Sequence, residues 1–247
     1  MERIERLAGI LSRSERIVAF TGAGVSTESR IPDFRSSGGI YEAIEKEYGY
    51  PPEVLLSHSF FTAHPDTFYD YYKKYLIFPE AQPNDAHRSL AALEKSGKLR
   101  AVVTQNIDGL HSRAGSQTVY ELHGSVCRSH CMKCGKTYEG LDTVLSSSGV
   151  PRCGQCGGMV RPDVVLYEEP LDEGVVESAV QAIESADTLL IMGTSLVVYP
   201  AAGLIDYFQG KHLILINKSA TSYDSRAGLV INAPAGETMK AVMNLIS

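Results

Sequence analysis

Four of the five cysteines form two Cys-x-x-Cys pairs separated by eighteen residues: Cys131 with Cys134, and Cys153 with Cys156. This spacing is typical of a tetrahedral zinc site with four thiolate ligands, which leaves no coordination position for a reactive water. A redox pair or scattered buried thiols would not require two regular pairs. We therefore expect one structural zinc ion per chain, with Cys127 and His130 nearby but outside the ligand set.

A second group that could do chemistry is the Thr-Gly-Ala-Gly sequence at 21–24, which directly follows an apolar run at 17–20. Gly22 and Gly24 allow a tight turn and a close approach of the backbone to a ligand, and Ser26 or Thr27 suits the cap of a short helix. The N–H groups at such a helix start favour phosphate. Thr27 stands where the dinucleotide-binding fingerprint has its third glycine. A strand-to-helix turn that binds no ligand is therefore an alternative interpretation.

Polar and small residues follow this loop and several later apolar runs. Directly after the loop, Asp33, Phe34 and Arg35 place an acid, a ring and a guanidinium side by side, and arginine suits bidentate contact with phosphate. The other groups are Gln105, Asn106, Ile107 and Asp108, then His123 and Gly124, then Gly193, Thr194 and Ser195, and Asn217. Ligands of open α/β sheets bind beyond the carboxyl ends of the strands, so we expect these groups to face one crevice.

The elements that must position these groups alternate along the chain. Strands are predicted from apolar runs at 17–20, 101–104, 118–122, 164–167, 188–192 and 212–216. Helices are predicted near the N-terminus, behind an Asn84 cap, and from Val176 to Ile183. This alternation predicts an α/β fold class, a Rossmann-like open parallel sheet covered by helices.

Two stretches interrupt the alternation and are expected to form a smaller composite domain. Residues 36–80 are rich in Tyr and Phe with glycine and proline punctuation, which predicts a mobile loop followed by a helical module. Residues 127–160 carry the paired cysteines and are too few to hold a core without metal, which predicts a zinc ribbon. The sheet domain would then consist of 1–35, 81–126 and 161–247.

Composition limits the classes of partner. The chain has 247 residues, 44% of them apolar, and a net charge of −6 without a long basic run. These values favour a globular protein that does not bind nucleic acid directly. The first residues predict an amphipathic helix rather than a signal peptide, and no apolar run approaches membrane-spanning length. We therefore expect a cytoplasmic protein without a membrane partner.

Taken together, these motifs resemble those of the sirtuins, the NAD-dependent protein lysine deacylases, along essentially the whole chain. The resemblance rests on GAGVSTESRIPDFR (22–35), TQNIDGLH (104–111), ELHGSV (121–126), the cysteine pairs, RPDVV (161–165), GTS (193–195) and Asn217. It implies an enzyme that uses NAD, carries structural zinc and acts on acetyl-lysine proteins. The acetyl group would pass to ADP-ribose, with release of nicotinamide, and the sheet domain would bind NAD.

The resemblance also implies roles for individual residues. His123 would be the general base and Asn106 a second catalytic residue. The NAD contacts would be Gly22, Ala23, Gly24, Thr27, Asp33, Phe34, Arg35, Gln105, Asn106, Ile107, Asp108, Gly193, Thr194, Ser195 and Asn217. The substrate contacts would be Phe34, His123, Val164, Val165 and Tyr167, the last three pairing with an extended peptide as an added strand.

The sequence departs from the family pattern at three positions where glycine is common, namely Arg30, Ser36 and Glu168. Acyl preference is a separate question. Sirtuins that favour succinyl groups carry Tyr-x-x-Arg in the helical module, whereas the nearest stretch here offers Tyr72 with Tyr75 in the arginine place. Lys73 or Lys74 could supply a charge, and an aromatic face packed as core is the alternative. We expect acetyl to be the preferred group.

Two other functions remain open on the sequence. The protein could be a mono-ADP-ribosyltransferase that uses the same NAD chemistry. It could also be a non-catalytic zinc-containing binding module, in which case NAD would not raise the melting temperature. In each case the chain is expected to be a monomer.

Overall fold

The computed structural model describes residues 1–35 and 38–246. The strands are β1 Ile17–Thr21, β2 Leu99–Thr104, β3 Val119–Glu121, β4 Gly124–Cys131, β5 Thr137–Glu139, β6 Val160–Val164, β7 Thr188–Met192, β8 His212–Ile216 and β9 Leu229–Ile231. Six of them form a parallel sheet in the order β3-β2-β1-β7-β8-β9. The remaining three form an antiparallel sheet in the order β5-β4-β6. The predicted open parallel sheet is thus confirmed.

The central strands of the large sheet are the ones that the apolar runs predicted. Every residue of β1 and β7 is buried, as expected for strands that are covered on both faces. Alternate residues of β1 point to opposite sides, so that Ile17 and Ala19 join one core while Val18 and Phe20 join the other. This packing fixes the register of the sheet and hence the level at which its strands end.

The strand predicted at 164–167 is in the wrong place. The chain is extended at β6 instead, and β6 pairs antiparallel with β4 rather than joining the large sheet. This strand is difficult to recognise in the sequence, because Arg161, Pro162 and Asp163 interrupt the apolar pattern. The apolar runs also do not predict strands β4, β5 and β9.

Helices cover both faces of the large sheet. The helices are α1 Glu2–Arg13, α2 Ile40–Tyr48, α3 Pro52–Leu55, α4 His58–Ala63, α5 Pro65–Tyr71, α6 Asp85–Lys95, α7 Leu110–Arg113, α8 Asp142–Leu145, α9 Glu173–Ser185 and α10 Ala235–Ile246. Helices α1, α6 and α10 pack on one face, and α9 packs on the other with the 3₁₀ segment Ala201–Tyr207. The predicted Asn84 cap of α6 is confirmed, since its side chain accepts a hydrogen bond from the N–H of Ala86 at 2.9 Å.

A third core joins the helices of 40–76 to the antiparallel sheet. Its largest members, Phe68, Tyr69, Tyr71 and Tyr72, are almost fully buried, and Val126 on β4 packs in the same cluster. The division of the chain into three segments stays a prediction, and two of its boundaries fall inside β4 and β6. Ser36, Ser37 and Ser247 lie outside the described residues, and so does the start of the predicted mobile loop. Among the helices of the described ranges, none is long and apolar enough to cross a membrane.

Candidate active site

The loops that follow the parallel strands border one cleft with a volume of about 570 Å³. Its lining includes most of the residues singled out in the sequence: Gly22, Ala23, Gly24, Thr27, Asp33, Phe34, Arg35, Gln105, Asn106, Ile107, His123, Val164, Val165, Tyr167, Gly193, Thr194, Ser195 and Asn217. Asp108 lies in an adjoining recess, which shares Ala23, Phe34, Asn106 and Ile107 with the cleft. The polar groups expected at one crevice therefore do meet there.

The loops after β1 and β7 interlock where they line the cleft. The N–H of Gly24 donates to the carbonyl of Gly193 at 2.8 Å, and a Cβ on Gly24 would lie only 2.9 Å from the Cα of Gly193. A Cβ on Gly193, which has a φ of +61°, would lie 2.2 Å from the backbone N of Val25. The glycines are thus required for contact between the two loops, and not only for approach to a ligand.

Gly193→Ala is expected to lower the free energy of unfolding by about 2–4 kcal/mol, because the new methyl group meets backbone atoms at a left-handed φ. Gly228→Ala is the matched control, since its Cβ would meet only the carbonyl of Leu213 at an ordinary 3.8 Å. The control should change stability by less than about 0.5 kcal/mol. Urea unfolding measures both, and equal effects of the two substitutions would contradict the interlocked loops.

The helix expected after the glycine loop is replaced by two 3₁₀ turns, Ala23–Val25 and Thr27–Ser29, neither of which has a side-chain cap. The expected caps bind elsewhere. Thr27 Oγ1 donates to the carbonyl of Gly24 at 3.0 Å, and Ser26 Oγ donates to Asp108 Oδ2 at 2.7 Å. Ser26 thereby connects the loop after β1 to the loop after β2.

The loop after β2 holds its polar side chains in fixed orientations. The amide of Asn106 donates both hydrogens, to the carbonyl of Gly22 at 3.1 Å and to Ser26 Oγ at 3.2 Å. Gln105 Nε2 donates to Thr194 Oγ1 at 3.0 Å, which connects this loop to the one after β7. Direct hydrogen bonds thus cross-link the three loops.

Asp108 presents a carboxylate to the recess beside the cleft. Burial raises the pKa of this carboxyl, while hydrogen bonds from Ser26 and from the N–H of Leu110 oppose the shift. The rest of the recess is mostly apolar, with Ile31, Pro32, Phe34, Ile40, Leu76, Phe78 and Ile107 around Asn106 and Asp108. Apolar walls with a few polar groups suit a flat ring that carries a carboxamide.

His123 is held in one tautomer. Its Nδ1 lies 2.9 Å from the carbonyl of Gln105, and because a carbonyl only accepts, Nδ1 must carry the proton. Burial, with the positive charge of Arg35 as a lesser cause, lowers the pKa of His123 below its usual value. The ring is therefore neutral at pH 7, and Nε2 keeps a free electron pair. Such a histidine can accept a proton from a substrate hydroxyl.

The backbone after His123 is fixed by a close approach of two strands. Gly124 has a φ of +74°, and a Cβ there would lie 1.9 Å from the carbonyl of Asp163 on β6. The carbonyl of His123 also accepts a hydrogen bond from the N–H of Val165 at 2.9 Å. The His-Gly pair thus places the imidazole where the large sheet meets the antiparallel sheet.

A cluster of aromatic residues and one arginine forms another part of the cleft wall. The hydroxyls of Tyr41 and Tyr167 lie 2.9 Å apart, and the ring of Phe34 meets that of Tyr41 edge to face. The guanidinium of Arg35 lies over the Tyr41 ring at 5.0 Å and donates to the Tyr167 hydroxyl at 3.4 Å. Arg35 therefore contacts both tyrosines in this structure.

The backbone of Tyr167, which the resemblance assigns to a peptide contact, already has hydrogen-bond partners in this structure. Its N–H donates to the carbonyl of Leu56, and its carbonyl accepts from the N–H of His58. Val164 pairs with Gly124 in the antiparallel sheet. The side chains of Val164, Val165 and Tyr167 line the cleft, but the backbone of Tyr167 is already paired with the helical module.

The departures from the family pattern adopt backbone conformations that glycine favours. Arg30 has a φ of 65° and Glu168 a φ of 75°. For residues with a Cβ, the left-handed region costs about 1–2 kcal/mol. Glu168 has compensating contacts, since its carboxylate accepts hydrogen bonds from the N–H and the hydroxyl of Ser59 at 2.9 and 2.6 Å. Ser36 lies outside the described residues.

The paired cysteines form one cluster in which all four sulfur atoms lie within 4.8 Å of one another. Cys131 and Cys156 are separated by 3.5 Å between their sulfurs, and Cys134 and Cys153 by 3.7 Å. A tetrahedral zinc ion with Zn–S bonds of about 2.3 Å places its sulfurs about 3.8 Å apart. The residues present thus fit a zinc ion. Cys127 and His130 are outside the cluster.

Sequence reasoning missed part of the cleft lining. The missed residues include Tyr41, Leu166, Glu169, Val198, Tyr199, Lys218 and the segment 233–235. The last of these follows the unpredicted strand β9 and leads into α10, whose first N–H groups, at Gly236 and Glu237, donate to the carboxylate of Glu28. An apolar Leu-Val-Ile run at β9 was the available signal, but it is only three residues long.

Comparison with known proteins agrees with this arrangement. A model of the Sir2 family matches residues 22–200. An NAD-dependent protein deacetylase of Clostridium acetobutylicum is 55% identical over 243 residues, which cover 98% of this chain and 99% of the relative. A protein of the same description from Staphylococcus aureus strain N315 is 47% identical over 240 residues, which cover 97% and 98%.

Solved structures show the same similarity. A Sir2 protein with a p53 peptide and NAD+ is 39% identical to this chain, with a TM-score of 0.85 and 98% of each chain covered. A Sir2 protein bound to an acetylated peptide is 38% identical, with a TM-score of 0.85 and 99% of each chain covered. Because the family match, the full-length relatives and the fold agree, this chain belongs to the Sir2 family.

Proposed function

We propose that this protein is an NAD-dependent protein lysine deacetylase. It transfers the acetyl group of an acetyl-lysine side chain to ADP-ribose and releases nicotinamide. The observation that carries the proposal is the position of His123, whose Nδ1 lies 2.9 Å from the carbonyl of Gln105, in the cleft that the interlocked glycine loops also line. Relatives that match along their full length are named for this activity, which supports the assignment.

The NAD molecule would lie along the loops at the strand ends. Ala23 and Gly24, with Thr194 and Ser195, would contact phosphate and ribose, and Arg35 would leave its tyrosine contacts to reach the phosphates. Thr27, Asp33, Gln105 and Gly193 would complete this wall. Asn217, at the end of β8, would lie near the adenosine.

The nicotinamide ring would occupy the recess beside Asp108. The carboxylate of Asp108 would accept from the carboxamide, with Ile107 packed against the ring and Asn106 beside the ribose. Departure of nicotinamide leaves an electron-poor ribose carbon, which the acetyl oxygen of the substrate attacks. His123 would then remove a proton from a ribose hydroxyl, and a base of this kind contributes about 10²- to 10⁴-fold to a rate. Phe34 would shield the reacting face from water.

The substrate lysine would enter between the side chains of Val164, Val165 and Tyr167. An apolar channel suits an acetyl-lysine, which carries no charge. The zinc ion would take no part in the reaction, because four thiolates complete its coordination and leave no site for a water nucleophile. Its role would be to hold the antiparallel sheet that borders His123.

Nicotinamide release tests this function directly. The protein is incubated with an acetyl-lysine peptide and NAD, and nicotinamide is quantified by chromatography. Release is expected only when both substrates are present, because departure of nicotinamide is coupled to attack by the acetyl oxygen. Equal release with the unacetylated peptide would contradict deacetylation. An NAD-dependent rise in melting temperature would separately contradict a non-catalytic module.

The helical module should make the enzyme prefer acetyl over succinyl groups. Tyr72 is fully buried, Lys73 donates to Gly149 and Ser147 carbonyls, and Lys74 and Tyr75 bind Glu47. None of these side chains lines the described part of the cleft, so the helical module offers no cation to a succinyl carboxylate, whose desolvation is costly. We expect kcat/KM for an acetyl peptide to exceed that for its succinyl counterpart by at least about tenfold. A succinyl peptide turned over equally fast would contradict this.

The location, oligomeric state and partners of the enzyme complete the proposal. We place the enzyme in the cytoplasm as a monomer that acts on acetylated proteins without binding nucleic acid itself. The net charge of −6 supports the last point, because a phosphate backbone attracts clustered lysines and arginines.

A further inference from the structure

His87 is a fully buried histidine that lies beneath the cleft without lining it. It belongs to α6, and its ring centroid is 4.7 Å from that of His111, another buried histidine. Burial of an imidazole is costly unless its nitrogens have partners. The partners of His87 connect it to the residues that border the nicotinamide recess.

One ring nitrogen of His87 is fixed by the start of its own helix. The backbone N–H of Asn84 donates to Nδ1 at 3.2 Å, as part of the capping box of α6. Burial lowers the pKa of His87 to about 4, so the ring is neutral at pH 7. Because Nδ1 accepts and the ring has one proton, that proton must be on Nε2.

The other nitrogen determines which way a serine hydroxyl points. His87 Nε2 lies 3.5 Å from Ser26 Oγ, and Asn106 Nδ2 lies 3.2 Å from the same oxygen. Both of these nitrogens are donors, so they fill the two lone pairs of the hydroxyl. The single hydrogen of Ser26 is left for Asp108 Oδ2, which lies at 2.7 Å. All hydrogen-bonding positions of Ser26 are then used.

We propose that His87 is a positioning residue for nicotinamide release, acting through Ser26 to orient the carboxylate of Asp108 and the carboxamide of Asn106. The proposal rests on the proposed function of the cleft. Without the Nε2 donor, the hydroxyl of Ser26 gains a second orientation, in which its hydrogen points away from Asp108. Asp108 then loses a donor, and Asn106 loses a fixed acceptor for its amide.

Two substitutions separate this role from the helix cap. In His87→Asn, the side-chain oxygen lies near the position of Nδ1 and keeps the Asn84 contact, but the side chain is too short to reach Ser26. In His87→Gln, the amide nitrogen reaches as far as Nε2 and keeps the Ser26 contact, while the amide oxygen can still accept from the N–H of Asn84, because glutamine at this position also closes a capping box. The measurements are kcat and KM for NAD from nicotinamide release, together with the melting temperature.

H87N is expected to lower kcat by about tenfold or more, as misplacement of reacting groups does, whereas H87Q should stay within about threefold of wild type. Both variants should keep a melting temperature within about 2 °C of wild type, because each retains an acceptor for the N–H of Asn84. Activity would then follow the Ser26 contact and not stability. Equal losses of kcat in both variants, or an H87N kcat within twofold of wild type, would overturn the proposal.

A double-mutant cycle provides a second test. In a Ser26→Ala background, H87N should lower kcat by less than about twofold further, because the hydroxyl through which it acts is gone. A full additional tenfold loss would overturn the connection through Ser26. Wild-type protein assayed alongside separates this inference from the proposed deacetylase function. An inactive wild type would contradict both. An active wild type with an unaffected H87N would contradict only the role of His87.

Discussion

Replacing His123 with alanine is expected to lower kcat for deacetylation by about 10²- to 10⁴-fold, the range that a general base contributes. The KM for NAD should change much less, because the glycine loops and the recess beside Asp108 remain in place.

The protonation of His123 should also set the pH dependence of the wild-type enzyme. Burial lowers the pKa of His123, so wild-type activity should be constant near pH 7 and fall only as acid protonates Nε2. Steady-state rates with varied NAD and varied pH measure both effects.

His64→Ala is the matched control for this substitution. His64 is exposed at the start of α5, where its ring contacts Phe60, and it lies outside the cleft lining. The control should keep wild-type kcat and the same pH profile. If H123A kept more than about a tenth of the wild-type kcat, the assignment of His123 as the base would be wrong.

Loss of one zinc ligand is the second substitution with a large expected effect. Cys134→Ser should weaken zinc binding by at least about 100-fold and lower the free energy of unfolding by about 3 kcal/mol or more, because metal binding is coupled to folding of so small a module. Cys134 is exposed, so little core packing is lost with its sulfur. Activity should fall as well, since β4 begins at Gly124, directly after His123. Metal content by mass spectrometry and urea unfolding give the two values.

Cys127→Ser is the control for the zinc prediction. Cys127 lies on β4, as the ligand Cys131 does, but its sulfur is outside the cluster of four. This variant should retain one zinc ion per chain, and its stability should change by less than about 1 kcal/mol. Retention of zinc with wild-type affinity in C134S, or its loss in C127S, would show that the ligand set has been assigned incorrectly.

The sequence was most informative where a single physical requirement determines the residues. Strands β7 and β8 are covered on both faces, so their apolar runs marked their bounds correctly at both ends. The paired cysteines were equally clear, because four ligands on two tight turns require a fixed spacing. Both signals are local, and tertiary contacts do not alter them.

Other features depended on contacts that a single segment does not reveal. β4 contains Arg128 and His130 among small residues, and its pairing is visible only once β6 lies beside it. The hydroxyl of Ser26 suited a helix cap, yet it binds Asp108, which is 82 positions further along the chain. The contact between Tyr41 and Tyr167 likewise joins residues 126 positions apart. Competition from distant partners is why these local predictions failed or could not be made.

The cleft was predicted in part from the sequence. Sequence reasoning placed the groups at strand ends, and the parallel order of the strands was enough to bring Gly24, Asn106, His123 and Gly193 to one cleft. It did not predict that the glycines contact each other, nor that the backbone of Tyr167 is already paired. Those details decide how much room is left for a peptide and for NAD.

Identification of the acetyl acceptor tests the central claim most directly. An acetyl-lysine peptide labelled in its acetyl group is incubated with the enzyme and NAD, and the products are resolved by mass spectrometry. We predict that the label appears on ADP-ribose, with one acetylated ADP-ribose formed for each nicotinamide and each free lysine. Labelled acetate released while NAD stays intact, or ADP-ribose attached to protein while the acetyl-lysine persists, would contradict a cleft that joins the two substrates beside His123.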